Sequence, residues 1–318
     1  MGPLLLHFYV TYRCNARCVF CDIPENCNVP ASKELSFARA ANIIKQAKEL
    51  GVKFVDFTGG EPLMYKYLPE LLVYSREIGL RTSVTTNCIL YPRYAERLRK
   101  RVTYLHFSLD SMDRDEHDQI RGVKCYDKVM ESIELALNLG ERPDIMFTVN
   151  EGNLFSIGEV VRFAQSRKLM LLINPEFDYS NNNGFNSDYW SYLRSYSYKP
   201  YVYLNYGFQR LHSRGGNQVS HPRCRVINST IVISPEGELI LPCYHRQVDS
   251  FPLEPDLKTV WQSDMVRDYR YRQGRFLFCE GCHINCYFDP SFCYDWDAYT
   301  VLSLASKAKY VFDKYIRP

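Results

Sequence analysis

The sequence predicts an α/β fold: a partial (β/α)6 TIM-like barrel followed by a small second domain that contains a β-hairpin. Three observations predict it. Apolar strand-like segments alternate with amphipathic helical ones through the first 175 residues. The alternation recurs about every 30 residues, the length of a βα unit in a parallel sheet. It then gives way to a cysteine-rich segment around a hairpin signal.

The strand candidates, in order, are Leu4–Val10, Phe54–Thr58, Thr82–Thr86, Tyr104–Leu109, Ile145–Val149 and Met170–Asn174. Between them, SFARAANIIKQAKELG and YDKVMESIELALNLG carry apolar residues at three-to-four spacing. They stop at Gly51 and Gly140, as helix C-termini often do. Whether such a sheet stays open or curls, its ligands sit at the C-terminal strand ends. From Tyr179 a Tyr- and Asn-rich stretch is expected to hold two short helices, its aromatics packing between domains or lining a cavity. In STIVISPEGELILPC, Pro-Glu-Gly separates two apolar runs and marks the hairpin. TVLSLASKAKYVFDKYI closes the chain as a helix. The expected domains are residues 1–215 and 216–295, with a terminal helix over 296–318.

The 318 residues are 46% hydrophobic and 24% charged, an ordinary globular balance with enough chain for a sizeable core. Thirty-nine basic against 36 acidic residues leave a net charge of +3, too mild to imply nucleic acid as a partner. No apolar run approaches the roughly 20 residues that span a bilayer. The start, MGPLLLHFYVTYRC, has neither a basic leader nor a small-residue cleavage site. A signal peptide is therefore not expected, and the chain is read as cytoplasmic.

Twelve cysteines in such a chain point to metal or redox chemistry rather than a disulfide framework. Cys27, Cys88 and Cys125 stand apart and read as ordinary thiols. Cys14, Cys18 and Cys21 form CxxxCxxC directly after the first strand. Three thiolates on one loop can hold three irons of a cubane cluster and leave the fourth open. A structural zinc would want a fourth ligand, with Cys27 the candidate; the spacing and the strand context fit the cluster better.

With Phe20 just before its last cysteine, this loop resembles that of the radical S-adenosylmethionine (SAM) superfamily. Three later segments agree in order: TGGEP at Thr58–Pro62, TTN ending at Asn87, and HFSLDS on the fourth strand. HDQIRG before a helix is also common in relatives with auxiliary clusters. The resemblance implies a catalytic [4Fe–4S] cluster on Cys14, Cys18 and Cys21, with SAM chelating its open iron. Reductive cleavage of SAM then gives a 5′-deoxyadenosyl radical that takes a hydrogen atom from the substrate. SAM contacts are implied at Phe20, Gly59, Gly60, Glu61 and Asn87, and ribose or substrate contacts at Ser108 and Asp110. Gly59 and Gly60, lacking Cβ, let backbone approach a ligand closely. Glu61 can accept a charge-assisted hydrogen bond from the SAM ammonium. An external electron donor such as flavodoxin or ferredoxin would reduce the cluster. Asp110 is the candidate general base; His106, on the same strand, reads equally well as a satisfied buried histidine.

Cys224 and Cys243 flank the hairpin, and Cys279, Cys282, Cys286 and Cys293 follow it as C-x2-C-x3-C-x6-C. This arrangement looks like the twitch form of the auxiliary-cluster domain. Its longer relative, SPASM, has seven cysteines where this region has six. The resemblance implies one auxiliary [4Fe–4S] cluster held by Cys224, Cys243, Cys279 and Cys282, fully ligated and so an electron relay or a structural element. Cys286 and Cys293 stay open as structural thiols, replacement ligands, or ligands of a second auxiliary cluster. A zinc ribbon is the alternative for the whole region.

The first functional reading is a radical SAM oxidation of a small molecule (a sugar, lipid headgroup or cofactor precursor), with the auxiliary cluster accepting the electron. The second is maturation of a peptide or protein presented by a separate recognition partner, since no leader-binding domain is expected on either side of the cysteine segments. A non-enzymatic iron–sulfur sensor is the third. In the terminal helix, Val301, Leu304, Ala305, Ala308, Val311, Phe312, Tyr315 and Ile316 form an apolar face, with Lys307, Lys309, Lys314 and Arg317 largely off it. This face is expected to dock on the core; the alternative is peripheral contact with an anionic membrane.

Overall fold

The computed structural model describes residues 2–23, 29–176 and 187–317 (187 and 188 by backbone alone). One sheet runs through it. Six parallel strands pair in sequence order: β1 (Leu5–Thr11), β2 (Phe54–Gly59), β3 (Arg81–Thr86), β4 (Tyr104–Ser108), β5 (Asp144–Val149) and β6 (Leu171–Pro175). A two-residue β7 (Val202–Tyr203) continues it in parallel at one edge. Each of the six predicted strands is present, its bounds moved by no more than one residue.

Parallel neighbours need crossovers, and helices supply them: Phe37–Glu49, Leu68–Glu77, Tyr91–Leu98, Tyr126–Asn138 and Ile157–Ser166. The two helices predicted from periodicity stop just before their glycines. The first is capped at its start by the Ser36 hydroxyl, which accepts the Arg39 N–H at 3.4 Å. Along the strands, side chains such as Val55, Phe57, Val84, Phe107 and Phe147 pack into the core. Their alternating neighbours face the other side of the sheet.

The hairpin is present, but it does not stand apart. Its first strand, β8 (Thr230–Ile233), pairs parallel with β1; β9 (Glu238–Leu241) and β10 (Asp249–Pro252) then follow antiparallel. The sheet is therefore continuous across residue 215, with order β10-β9-β8-β1-β2-β3-β4-β5-β6-β7, and it is not closed. The physical reason lies in β1, which is buried along nearly its whole length. Its outer backbone groups would be unpaired without a neighbour, and the wholly buried TIVI of β8 supplies one.

The Tyr- and Asn-rich region contains the helices Ser187–Ser197 and Tyr206–His212. Residues 177–186 of that stretch, like Cys27, lie outside the described residues.

The terminal helix, Ala298–Val311 with a wider last turn to Ile316, corrects an expectation. It docks by its polar side. Thr300, Ser303, Ser306, Asp313 and Lys314 are buried, while Val301, Leu304, Val311, Phe312, Tyr315 and Ile316 are between 45% and 66% exposed. Specific partners decide this. Lys314 Nζ and the Tyr310 hydroxyl each lie 2.6 Å from the Asp144 carboxylate. Asp313 accepts the Tyr201 N–H and pairs with Lys309 and Arg317. Lys309 Nζ also donates to the Lys199 and Val202 carbonyls, blunting the open edge at β7. Among the described residues, no helix is long and apolar enough to cross a membrane.

Candidate functional site

The loop carrying Cys14, Cys18 and Cys21 leaves the C-terminal end of β1 and is held by a helix that crosses beneath it. The helix Arg114–Arg121 offers its last carbonyls to the loop: Arg17 N–H bonds to Arg121 O at 3.0 Å and Val19 N–H to Ile120 O at 2.9 Å. Gly122 ends that helix in the left-handed region (φ +63°), where a Cβ would stand 2.1 Å from Arg17 O. The HDQIRG segment thus forms the seat of the cysteine loop.

The glycine turn is the second support. A Cβ on Gly59 would lie 1.9 Å from Thr11 O, and one on Gly60 2.3 Å from Arg13 O. The close approach these glycines permit is first to the chain's own β1 end, with Gly60 N–H on Thr11 O and Glu61 N–H on Arg13 O, both at 2.9 Å. Glu61 is buried and already engaged. Its carboxylate accepts the Leu63 N–H (3.1 Å), the Thr86 hydroxyl (2.7 Å) and the Asn87 N–H (2.9 Å), tying the tip of β2 to that of β3. Burial pushes this carboxyl up to about 7, with the three donors pulling the other way.

Above these strand ends lies a cavity of about 360 Å³. Cys14, Cys18, Cys21 and Phe20 line it from the loop; Gly59, Gly60, Glu61, Asn87 and Ser108 line it from β2, β3 and β4. Thr148 and Asn174 add the ends of β5 and β6.

Asp110 departs from expectation. It is fully buried, stands 2.6 Å from Arg121 Nη2 and accepts the Thr148 N–H at 2.9 Å. The residue that faces the cavity in its place is Arg121, whose Nη1 lies 3.7 Å from Cys18 Sγ and whose guanidinium sits 5.4 Å from the Phe20 ring centre. Burial pushes the Asp110 carboxyl up and the guanidinium draws it back; Asp110 faces Arg121 and is not among the residues that line the cavity. His106 is partnered as the second reading expected, though only part-buried, 3.2 Å from Thr85 Oγ1 and 3.6 Å from Asp144.

The cysteine loop fits an iron–sulfur cubane by its donor set. Ala16 N–H (3.4 Å) and Asn87 Nδ2 (3.9 Å) approach Cys14 Sγ, and the Arg121 guanidinium approaches Cys18, donors that favour thiolates. Burial raises the Cys14 thiol, and Cys21 to about 12; bound iron would supply the charge that deprotonates them.

A compact trio of ligand-type residues does occur elsewhere: the donor atoms of His117, Asp118 and Cys125 lie within 4.8 Å of one another. The fold uses all three. His117 Nδ1 accepts the Asp110 N–H at 3.2 Å, and Asp118 accepts the Cys125 and Tyr126 N–H groups, both at 2.8 Å, before the helix Tyr126–Asn138.

The cavity has a second wall that sequence reasoning did not assemble. His7 and Tyr9 project from β1, Asp56 from β2, and Tyr244, His245 and Cys286 from the cysteine-rich segment. Tyr9 and Tyr244 stack with ring centres 4.1 Å apart, and Cys286 Sγ lies 3.6 Å from His245 Nε2. The signal for His7 and Tyr9 was polar character at every second position of an otherwise apolar strand. Nothing local marked Cys286, whose role had been left open.

Cys224, Cys243, Cys279 and Cys282 lie within electrostatic reach of one another, and Cys286 within reach of Cys224, Cys243 and Cys282. Burial raises the Cys224 and Cys243 thiols, and the adjacent Cys282 raises them further. Asn217, a fully buried residue the sequence did not flag, gathers the segments. Its Oδ1 accepts the Arg223 and Cys224 N–H groups while its Nδ2 donates to Gly274 O and Cys279 O. Cys293 Sγ stands 4.0 Å from Lys307 Nζ.

The sequence profile of the radical SAM superfamily matches residues 8–164. Those residues belong to the radical SAM superfamily. Among curated relatives, the probable GTP 3′,8-cyclase of Archaeoglobus fulgidus is 37% identical over 139 residues, covering 43% of this chain and 46% of that protein. The Fe-coproporphyrin III synthase of Methanosarcina barkeri is 31% identical over 163 residues, covering 50% and 40%. The chain thus spans about half the length of the curated relatives it matches. Native anSMEcpe with bound AdoMet superposes with a TM-score of 0.67 at 15% identity, covering 98% of this chain and 97% of that one. Streptococcus suis SuiB bound to precursor peptide SuiA gives 0.65 at 22% identity, covering 83% and 65%. At these identities the likeness is one of fold. The radical SAM assignment accounts for the order of the cysteine loop, the glycine turn and the strand-end polar residues.

Proposed function

We propose that the chain is a radical SAM enzyme acting on a small molecule, with SAM and substrate sharing the cavity over β1–β6. One observation carries this reading. The three loop thiols and Gly59, Gly60, Glu61, Asn87 and Ser108, far apart in sequence, converge on a single cavity. Its volume is in the range of small-ligand sites. The curated relatives named for a GTP cyclisation and for coproporphyrin give the small-molecule class further support.

Cys14, Cys18 and Cys21 would hold a [4Fe–4S] cluster that, with SAM bound, supplies reductive cleavage of SAM and abstraction of a substrate hydrogen atom. The chain's own residues supply position and electrostatics. Glu61, fixed by Thr86 and Asn87, keeps a carboxyl group at the cavity wall, suited to an ammonium group. Asn87 is oriented by Asn15, its Nδ2 lying 2.7 Å from the Asn15 Oδ1. Arg121 brings positive charge beside the loop thiols. The stacked Tyr9 and Tyr244 give the opposite wall an apolar face that excludes water. Cys224, Cys243, Cys279 and Cys282 would hold one auxiliary cluster, an electron relay suited to oxidation, in a reducing compartment with an external donor.

Anaerobic reconstitution followed by incubation with SAM, reductant and fractionated small molecules or peptides tests the reading. Substrate-dependent 5′-deoxyadenosine is expected from a small-molecule fraction. Release from peptide fractions alone would replace it with peptide maturation, and no SAM cleavage under reduction would overturn the enzyme itself.

A further inference from the structure

The geometry points to the terminal helix as a self-association surface that binds a second copy of this chain. Its outward residues Val301, Leu304, Ala308, Val311 and Tyr315 recur at alternating steps of three and four. That 3.5-residue average, α-helical to Val311 and carried to Tyr315 by the wider last turn, is the spacing of a helix face that meets another helix. The seam is self-complementary. Ala308, its small central residue, lies seven residues from Val301 on one side and from Tyr315 on the other. An antiparallel two-fold through Ala308 sets Val301 against the second copy's Tyr315 and Leu304 against its Val311 and Phe312, while the alanine lets the backbones close in.

Charge and area agree. Lys307, Lys309, Lys314 and Arg317 all pair within the chain, with Asp289, Asp313, Asp144 and Asp313 respectively. The seam therefore neither repels its own copy nor offers free cations to anionic headgroups. Phe312 and Tyr315, about half exposed, leave roughly 200 Å² of aromatic surface in water. With the four exposed aliphatic residues and the alanines, the stripe exceeds a common monomer patch and approaches the roughly 800 Å² each partner gives to a standard interface. Its placement also favours a protein partner over a lipid surface that feeds the cavity. The helix is capped by Asp297, paired with Arg223, and its last turn carries Lys314, paired with Asp144 at the first residue of β5, the end of the strands opposite the cavity.

Sedimentation of the full, cluster-loaded chain at micromolar concentration should give a dimer. Leu304→Glu with Ala308→Glu should give a folded monomer with unchanged iron content, and a photo-crosslinking residue at position 308 should join 308 to 308. A monomeric wild-type chain overturns the inference. So does a dimer that survives the double substitution, or a monomer whose helix binds anionic vesicles.

Discussion

The guanidinium of Arg121 stands 2.6 Å from the Asp110 carboxylate, both side chains buried, and its other nitrogen reaches 3.7 Å from the Cys18 sulfur. The pair sets a fixed positive charge at the cysteine loop. Asp110→Ala strands that charge in the interior and should cost about 3–5 kcal/mol in denaturant unfolding. Arg121→Met should instead shift the catalytic cluster's reduction potential to more negative values, because the added electron loses a neighbouring positive charge. A potentiometric titration followed by electron paramagnetic resonance reads the shift, and an unchanged potential would separate Arg121 from the cluster.

Gly122 has no room for a side chain. Gly122→Ala combines a left-handed backbone with a Cβ 2.1 Å from Arg17 O, so the cysteine loop must lift off its helix. The expected outcome is loss of the loop cluster's iron while the second set stays loaded. Gly140→Ala, where nothing lies within 4 Å, bears the backbone strain alone and should keep both.

Iron content distinguishes the two cysteine sets. Reconstituted wild type should bind about eight irons, and the Cys14/Cys18/Cys21 triple alanine variant about four, with SAM cleavage abolished. Stoichiometric zinc in the second set would refute its assignment, and a total near twelve would mean that Cys286 and Cys293 serve another cluster.

Cys286 neighbours Cys224, Cys243 and Cys282 but, unlike them, lines the cavity beside His245. Cys286→Ala should therefore leave iron at the wild-type level while lowering product formed per 5′-deoxyadenosine. Loss of about four irons would instead make it a ligand.

His117 gives the fold a pH dependence. It is fully buried, and burial together with Arg121 lowers its pKa from 6.5 to about 3. A histidine held neutral in the fold but charged when unfolded contributes stability that is complete above pH 6.5 and lost as pH falls toward 3. The slope approaches about 1.4 kcal/mol per pH unit. Urea midpoints for wild type and His117→Asn should converge as pH falls from neutral to about 5; parallel curves would exclude this group.

The six parallel strands, the two strongest helices and the cysteine loop were all legible in the sequence, because periodicity and motif spacing are local properties of the chain. So was the order in which loop, glycine turn, Asn87 and Ser108 meet the cavity, since parallel strands deliver their C-terminal ends to one side. The sequence alone did not decide which groups would pair across that assembly. Asp110 was read as facing ribose or substrate because the family resemblance implied it; Arg121, eleven residues on, pairs with it once the helix folds back against the loop. The hairpin read as a separate unit, and the unpaired edge of β1 drew it into the sheet. The terminal helix had its apolar face assigned correctly and its docking face reversed. Periodicity reports where apolar side chains stand on a helix, whereas docking is settled by partners from distant segments. Here Asp144, Tyr201 and Asn205 supply buried charges and hydrogen bonds that only the polar face can satisfy.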